Sequence, residues 1–195
     1  MDLTPLFPSF LGTDMLDLDN DEILKAIRKA EKNSDGLSIH FNGDEPELQK
    51  LFGEAKLRFD ALHSMFNLRD DVDNQIYRAW ANIGPHHTTT EPHHHVEIGD
   101  ALFCAVYYPL ATQVGYPIVF MNPNLTQDAV VHDWVRDQSK PSSLYLSQQW
   151  RIQPQTGMLI VFPSWLYHYV MQEDRIPLEK DKRISLAFNS RFVKK

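Results

Sequence analysis

One cysteine, Cys104, stands among 195 residues. An internal disulfide and any cysteine-rich zinc module are therefore excluded, and a reducing, intracellular setting is the expectation. No uncharged apolar run approaches the ~18 residues that span a bilayer. The opening MDLTPLFPSFLG has no basic flank and contains two prolines, so no secretory leader is expected and the expected location is cytoplasmic. Positive charge is also scarce. Nineteen Lys and Arg face 26 Asp and Glu, a net charge of −7, which argues against a nucleic-acid or membrane partner. There is no internal repeat and no low-complexity tract. No glycine-rich phosphate loop is present, and strand-like segments do not alternate with helical ones, which argues against a Rossmann-type or barrel α/β enzyme. The H-E-x-x-H helix of zinc hydrolases is missing too.

What remains is an ordinary globular composition, 43% hydrophobic and 23% charged, long enough for one domain over residues 1–195 with a substantial core. The acidity is confined to the N-terminal part: residues 1–75 hold 16 acids and 8 bases, residues 76–195 hold 10 and 11. Within residues 1–70, Pro5 and Pro8 make the start an extended lead-in. Asp19 to Lys32 has acids and a cap at its start and lysines at its end, which predicts a helix. Pro46 to Asn67 predicts a second, with Leu48, Leu51, Phe52, Ala55, Leu57, Phe59 and Leu62 as its apolar stripe. From Asn74 the period changes. QIYRAWANI, ALFCAVYYP, YPIVFMNP, LYLSQQWRIQP, GMLIVFP and RISLAFNSRF read as strands, with WLYHYVMQ following GMLIVFP. Residues 122–142 read as a loop with one helical turn, and EDRIPLEKDK as a charged turn. Helices first and then many short strands predict an α+β domain, with a helical support over 1–70 and a jelly-roll or sandwich core over 71–195.

The chemistry-bearing stretch is TEPHHHVEIGDALFCAVYYP, Thr90 to Pro109. Residues i and i+2 of an extended segment share a face, so His95 and Glu97 can grip one ion together. His168, after the apolar GMLIVFP run and a Pro-Ser turn, supplies the missing ligand of a two-histidine, one-carboxylate iron site. His93 offers another register, in which it joins His95 in place of Glu97. His95 with Glu97 ranks first because a carboxylate supplies the negative charge that a ferrous ion prefers. On the last strand Arg183 and Ser185 share a face and can hold a carboxylate through a bidentate, charge-assisted pair. Tyr108 can donate its phenol proton to the same group.

In this order the elements resemble the 2-oxoglutarate- and Fe(II)-dependent oxygenases over Ile76 to Phe192. They are HVE, VYYP, GYPIVF, GMLIVFPSWLYH and RISLAF. The prolyl-hydroxylase-like branch and its small bacterial and phage relatives also resemble this chain in Trp80-Ala81-Asn82, Pro92-His93-His94-His95, Tyr107-Tyr108 and Phe162 to His168. The resemblance implies a double-stranded β-helix. It implies Fe(II) held by His95, Glu97 and His168, with His93 as the alternative first-pair ligand. Arg183, Tyr108 and Ser185 would bind 2-oxoglutarate, with Asn82 beside them. The implied activity is oxidative decarboxylation of 2-oxoglutarate with O2, coupled to hydroxylation of a prolyl or other peptidyl residue. Trp165, Tyr167 and Tyr169 flank the distal histidine and suit a peptide. A non-catalytic, cupin-like metal-binding protein is the alternative. The oligomeric state is left open.

Overall fold

In the computed structural model the described residues are 9–31, 39–40, 45–66, 68–83, 90–96, 101–112, 116–124, 147–171 and 183–195. Glu97 and residues 125–146 and 172–182 lie outside them, and so do the helical turn expected around 128–136 and the expected charged turn EDRIPLEKDK.

Among the described residues, ten strands and two helices follow one another. They are β1 (Gly12–Met15), α1 (Asn20–Glu31), β2 (Ile39–His40), α2 (Pro46–Met65), β3 (Val72–Ile83), β4 (Thr90–His93), β5 (Ala101–Ala111), β6 (Ile118–Met121), β7 (Gln149–Ile152), β8 (Met158–Pro163), β9 (His168–Val170) and β10 (Arg183–Lys194). Asp19 caps α1 by accepting the Glu22 amide at 3.1 Å, and Pro46 begins α2, where a missing N–H costs nothing. The helices span nearly the residues expected. The stripe on α2 is narrower than its composition suggested. Leu48, Leu51, Ala55 and Phe59 are buried, whereas Leu57 is 61% exposed. Leu57 lies two residues from both Ala55 and Phe59, about 200° around the helix, on the solvent side.

The strands form two antiparallel sheets, a six-stranded one ordered β1-β8-β5-β10-β3-β2 and a four-stranded one ordered β4-β9-β6-β7. From β3 onward the chain crosses repeatedly between them. Thus β5 and β6, next to each other in sequence, are not a hairpin but belong to opposite sheets. The N-terminal region also gives more than helices. β1 pairs with β8 and β2 with β3, so the first forty residues extend both edges of the larger sheet.

That sheet is buried on both faces along its middle strands, and alternation divides their side chains between two cores. Phe103, Ala105 and Tyr107 of β5, Leu159 and Val161 of β8, and Ile184, Leu186 and Phe188 of β10 meet α1 and α2. Phe59 stacks on Phe103 with ring centroids 6.0 Å apart, and the Tyr107 hydroxyl donates to Asn20 Oδ1 at 2.6 Å, fastening α1 to β5. Each large side chain buried here contributes about 1.5–3 kcal/mol. Cys104, Val106 and Tyr108, Ile160 and Phe162, and Ala187 face the other way, toward Ile118 and Phe120 of the smaller sheet. The helices therefore hold the larger sheet rigid from behind, while the space between the sheets is lined by alternate residues of the same strands. No described helix is long and apolar enough to cross a membrane.

Candidate metal centre

Strand β4 pairs with β9 so that His93 lies opposite His168. Two residues on, the His95 amide donates to the Ser164 carbonyl at 2.9 Å, which ties the end of the histidine run to the turn that leads into β9. His93 and His95 consequently point the same way, toward His168. His94 points the other way and meets the Tyr167 ring at 4.5 Å. The ligand-capable nitrogens of His93, His95 and His168 all lie within 4.8 Å of one another. His95 and His168 are buried, and their rings are parallel within 9° at 5.1 Å. Their Nε2 atoms are 3.3 Å apart. Two nitrogens bound to one ion at ~2.1 Å lie about 3.0–3.4 Å apart in octahedral or tetrahedral arrangements, so this pair fits a single cation.

The outer nitrogens set the tautomers. His168 Nδ1 is 2.9 Å from the Leu166 carbonyl and His93 Nδ1 is 2.8 Å from the Glu91 carbonyl. A carbonyl only accepts, so each Nδ1 carries the proton and each Nε2 lone pair is free for a metal. Phe162 and Phe120 close around His168, at 4.7 and 5.9 Å, and Trp80 covers His95 at 5.8 Å.

Burial lowers the basicity of both inner imidazoles, His95 to about 4 and His168 to about 3, and the neighbouring His93 adds to each shift. Both are thus neutral at pH 7, the form that binds metal. An unfolded histidine titrates near 6.5, so below that pH the unfolded chain takes up two protons that the native site refuses. The stability this contributes to the metal-free protein is complete above about 6.5 and is lost as pH falls toward 4 and then 3. Urea unfolding of the metal-free protein between about pH 7.5 and pH 5 is expected to show a falling midpoint, and a smaller fall for His168→Gln.

The same cavity between the sheets is lined by Tyr108, Arg183, Ser185 and Asn82 as well as by the three histidines. Arg183 opens β10 and is 2% exposed, Ser185 is 2% exposed, and Tyr108 is fully buried. The Arg183 guanidinium carbon lies 5.3 Å from the Tyr108 ring centre. No described carboxylate pairs with Arg183, and its Nε and the Tyr108 hydroxyl have no hydrogen-bond partner among the described residues. Burial raises the Tyr108 pKa, with Arg183 opposing the shift, so the phenol stays a donor. Asn82 Nδ2 lies 3.5 Å from the Ser185 hydroxyl. A guanidinium that no described carboxylate pairs and a proton-bearing phenol, both lining a cavity that also holds three imidazoles, are suited to a small carboxylate that approaches a metal ion.

One residue that faces this site was missed in the sequence. Asn189 of β10 reaches His95, and counting by twos along the strand from Arg183 through Ser185 and Ala187 arrives at it. Of the aromatic residues flanking His168, Trp165 and Tyr167 are 38% and 45% exposed, and Phe66 meets Trp165 edge-on at 6.4 Å.

Comparison with known proteins agrees with this chemistry. The family model described as "Putative 2OG-Fe(II) oxygenase" matches residues 78–189, more than half of the chain and the segment from β3 to Asn189. No match is found among curated protein sequences. Among solved structures, the chain is similar to a Pseudomonas putida prolyl-4-hydroxylase, with a TM-score of 0.58 and 14% identity over 93% of this chain and 84% of the other. It is similar to the viral collagen prolyl hydroxylase of Paramecium Bursaria Chlorella virus-1 in its 2OG complex, with a TM-score of 0.55 and 14% identity over 93% and 95%. It is also similar to iron-bound HygX from Streptomyces hygroscopicus, with a TM-score of 0.52 and 11% identity over 94% and 82%. At such identities the likeness is one of fold. The family match spans the strands that carry the three histidines, Tyr108 and Arg183, and this chain belongs to the 2OG-Fe(II) oxygenase family.

Proposed function

We propose that the two sheets form a double-stranded β-helix and that this oxygenase hydroxylates a peptidyl residue, a proline being the first to test. We further propose His93, His95 and His168 as the residues that hold the iron. The observation that carries the reading is the shared cavity, in which converging imidazoles stand beside a buried Arg183 that no described carboxylate pairs and a Tyr108 hydroxyl without a hydrogen-bond partner among the described residues. A metal-storage barrel has no use for such a clamp.

The roles follow from the chemistry of each group. Arg183 pairs with the carboxylate of 2-oxoglutarate remote from the metal, through charge-assisted hydrogen bonds. Tyr108 donates its proton to the same carboxylate, and Ser185, steadied by Asn82, adds a hydroxyl. The cosubstrate is thereby held by one end, with its keto acid end directed toward the imidazoles. Phe120, Phe162 and Trp80 keep water from the ligands. When bound, iron and 2-oxoglutarate supply an oxidative decarboxylation, giving succinate and carbon dioxide, that is coupled to oxidation of a substrate C–H bond. The exposed Trp165 and Tyr167 beside His168 offer flat apolar surface to a peptide.

Incubation with Fe(II), 2-oxoglutarate, oxygen and proline-containing peptides tests this. The expected result is succinate together with one oxygen added to a peptide, read by mass spectrometry. Succinate with no peptide oxidation would overturn the peptide assignment. Iron binding with no succinate under any condition would return the protein to the metal-binding, non-catalytic class.

A further inference from the structure

Asn189 is completely buried at the point where the two strands flanking β10 each carry an extra residue. The pairing of β10 to β3 slips between Asn189 and Ser190, and its pairing to β5 slips between Asn189 and Arg191. The extra residues lie on β3 and β5, so alternation along β10 is unbroken and carries Asn189 to the same side as Arg183 and Ser185. Asn189 stands 3.3 Å from His95 Nδ1, and Ser190, next along the strand, donates to the Phe103 carbonyl at 3.2 Å.

The amide end matters. With its nitrogen toward Nδ1, Asn189 donates to the ring, so the His95 proton sits on Nε2 and is directed at His168 Nε2, 3.3 Å away. That is a consistent hydrogen-bond chain without a cation, but it blocks Nε2 as a ligand. With the amide turned over, Oδ1 accepts from Nδ1–H and the Nε2 lone pair faces the same point as those of His93 and His168. Oxygen and nitrogen of a carboxamide have nearly the same shape, so the turn needs no repacking. Nothing else among the described residues holds the amide, since Oδ1 has no partner there. His95 alone selects which end it meets.

We infer that Asn189 is the positioning residue of the metal centre: its amide oxygen accepts the Nδ1 proton of His95 and so presents Nε2 to the cation. This gives His95 the kind of outer partner that Leu166 and Glu91 carbonyls give the other two imidazoles. It rests on the reading that these histidines bind metal, but not on which residue completes the set, because His95 belongs to either register.

Cobalt(II), titrated into the full-length protein and followed by its visible absorption, is the probe. Asn189→Leu, similar in size and without an acceptor, is expected to bind about 10–100-fold more weakly, the usual cost of losing an outer partner. Asn189→Asp, an acceptor of the same shape, is expected to bind at least as tightly as the wild type. The inference is overturned if Asn189→Leu binds as well as the wild type, or if Asn189→Asp falls as far as Asn189→Leu. Should Asn189→Leu show no cooperative melting, long-range proton–nitrogen NMR of the zinc-loaded wild type decides. A protonated Nδ1 with metal-bound Nε2 at His95 supports the assignment, and metal on Nδ1 refutes it. His168→Ala, run in parallel, separates the two levels. If it keeps wild-type cobalt affinity, the metal centre itself is wrong; if it loses cobalt while Asn189→Leu does not, only the role of Asn189 fails.

Discussion

Replacing His168 by alanine is expected to abolish Fe(II) binding at micromolar protein and, with it, succinate formation from 2-oxoglutarate. The loss should exceed the about 10–100-fold that removal of an outer partner costs, because a donor atom disappears rather than its support. His95→Ala is expected to behave alike. Both side chains are nearly completely buried against one another, so truncation leaves the remaining Nε2 facing a void instead of a shared ion. Anaerobic iron titration, with the metal-free variants checked for cooperative melting, measures the effect. Wild-type affinity in either variant would overturn the site.

The same titration decides the third ligand. Iron lost in His93→Ala and retained in Glu97→Ala is the expected pair of results; the reverse pair would restore the carboxylate reading of the sequence. The distinction has an electrostatic consequence. Three neutral imidazoles leave both charges of Fe(II) uncompensated, whereas a carboxylate cancels one. A three-histidine centre should therefore gain more from dianionic 2-oxoglutarate, and by linkage 2-oxoglutarate should tighten iron binding by the same factor.

Arg183→Met is expected to raise the 2-oxoglutarate concentration needed for half-maximal succinate formation by about 30- to 3,000-fold. Truncating one partner of a buried, hydrogen-bonded charge pair costs roughly 2–5 kcal/mol, and each 1.4 kcal/mol is about a factor of ten. Iron affinity without cosubstrate should be unchanged, since Arg183 is not a ligand. The ligand-free variant should be at least as stable as the wild type, because the substitution removes a buried cation that no described carboxylate balances. Thermal unfolding shows both sides of this. The wild type is expected to gain about 2.7 kcal/mol at 2-oxoglutarate 100-fold above its dissociation constant, and the variant to gain less than about 1 kcal/mol at that concentration. A variant with wild-type 2-oxoglutarate dependence would remove Arg183 from the cosubstrate site.

Much of this was readable in local pattern. The helix at Asn20–Glu31 announces itself by its cap and charge gradient, and that at Pro46–Met65 by proline and apolar spacing. The pairs Arg183/Ser185 and His93/His95 share faces because a strand has period two whatever surrounds it. Leu57 shows where composition misleads: its apolar nature put it in the stripe, but helical angle puts it in solvent. Asn189 was legible by the same period-two count that paired Arg183 with Ser185, yet nothing marks an asparagine as special until a histidine is found beside it.

The sequence by itself determined the kinds of donor, their strand spacing and the resemblance to an oxygenase family, because these depend on residue identity and on backbone geometry within a few residues. Only the tertiary structure decided which donors meet. That depends on strand register, which sets His93 opposite His168 and turns His94 away to Tyr167. Register is chosen by which faces of distant strands are buried together, and a slip of one residue would turn every side chain of a strand to the opposite face. Three adjacent histidines and a nearby glutamate are consistent with several ligand sets. The packing of two sheets brings His93, His95 and His168 to one point beside Arg183, Tyr108 and Asn189.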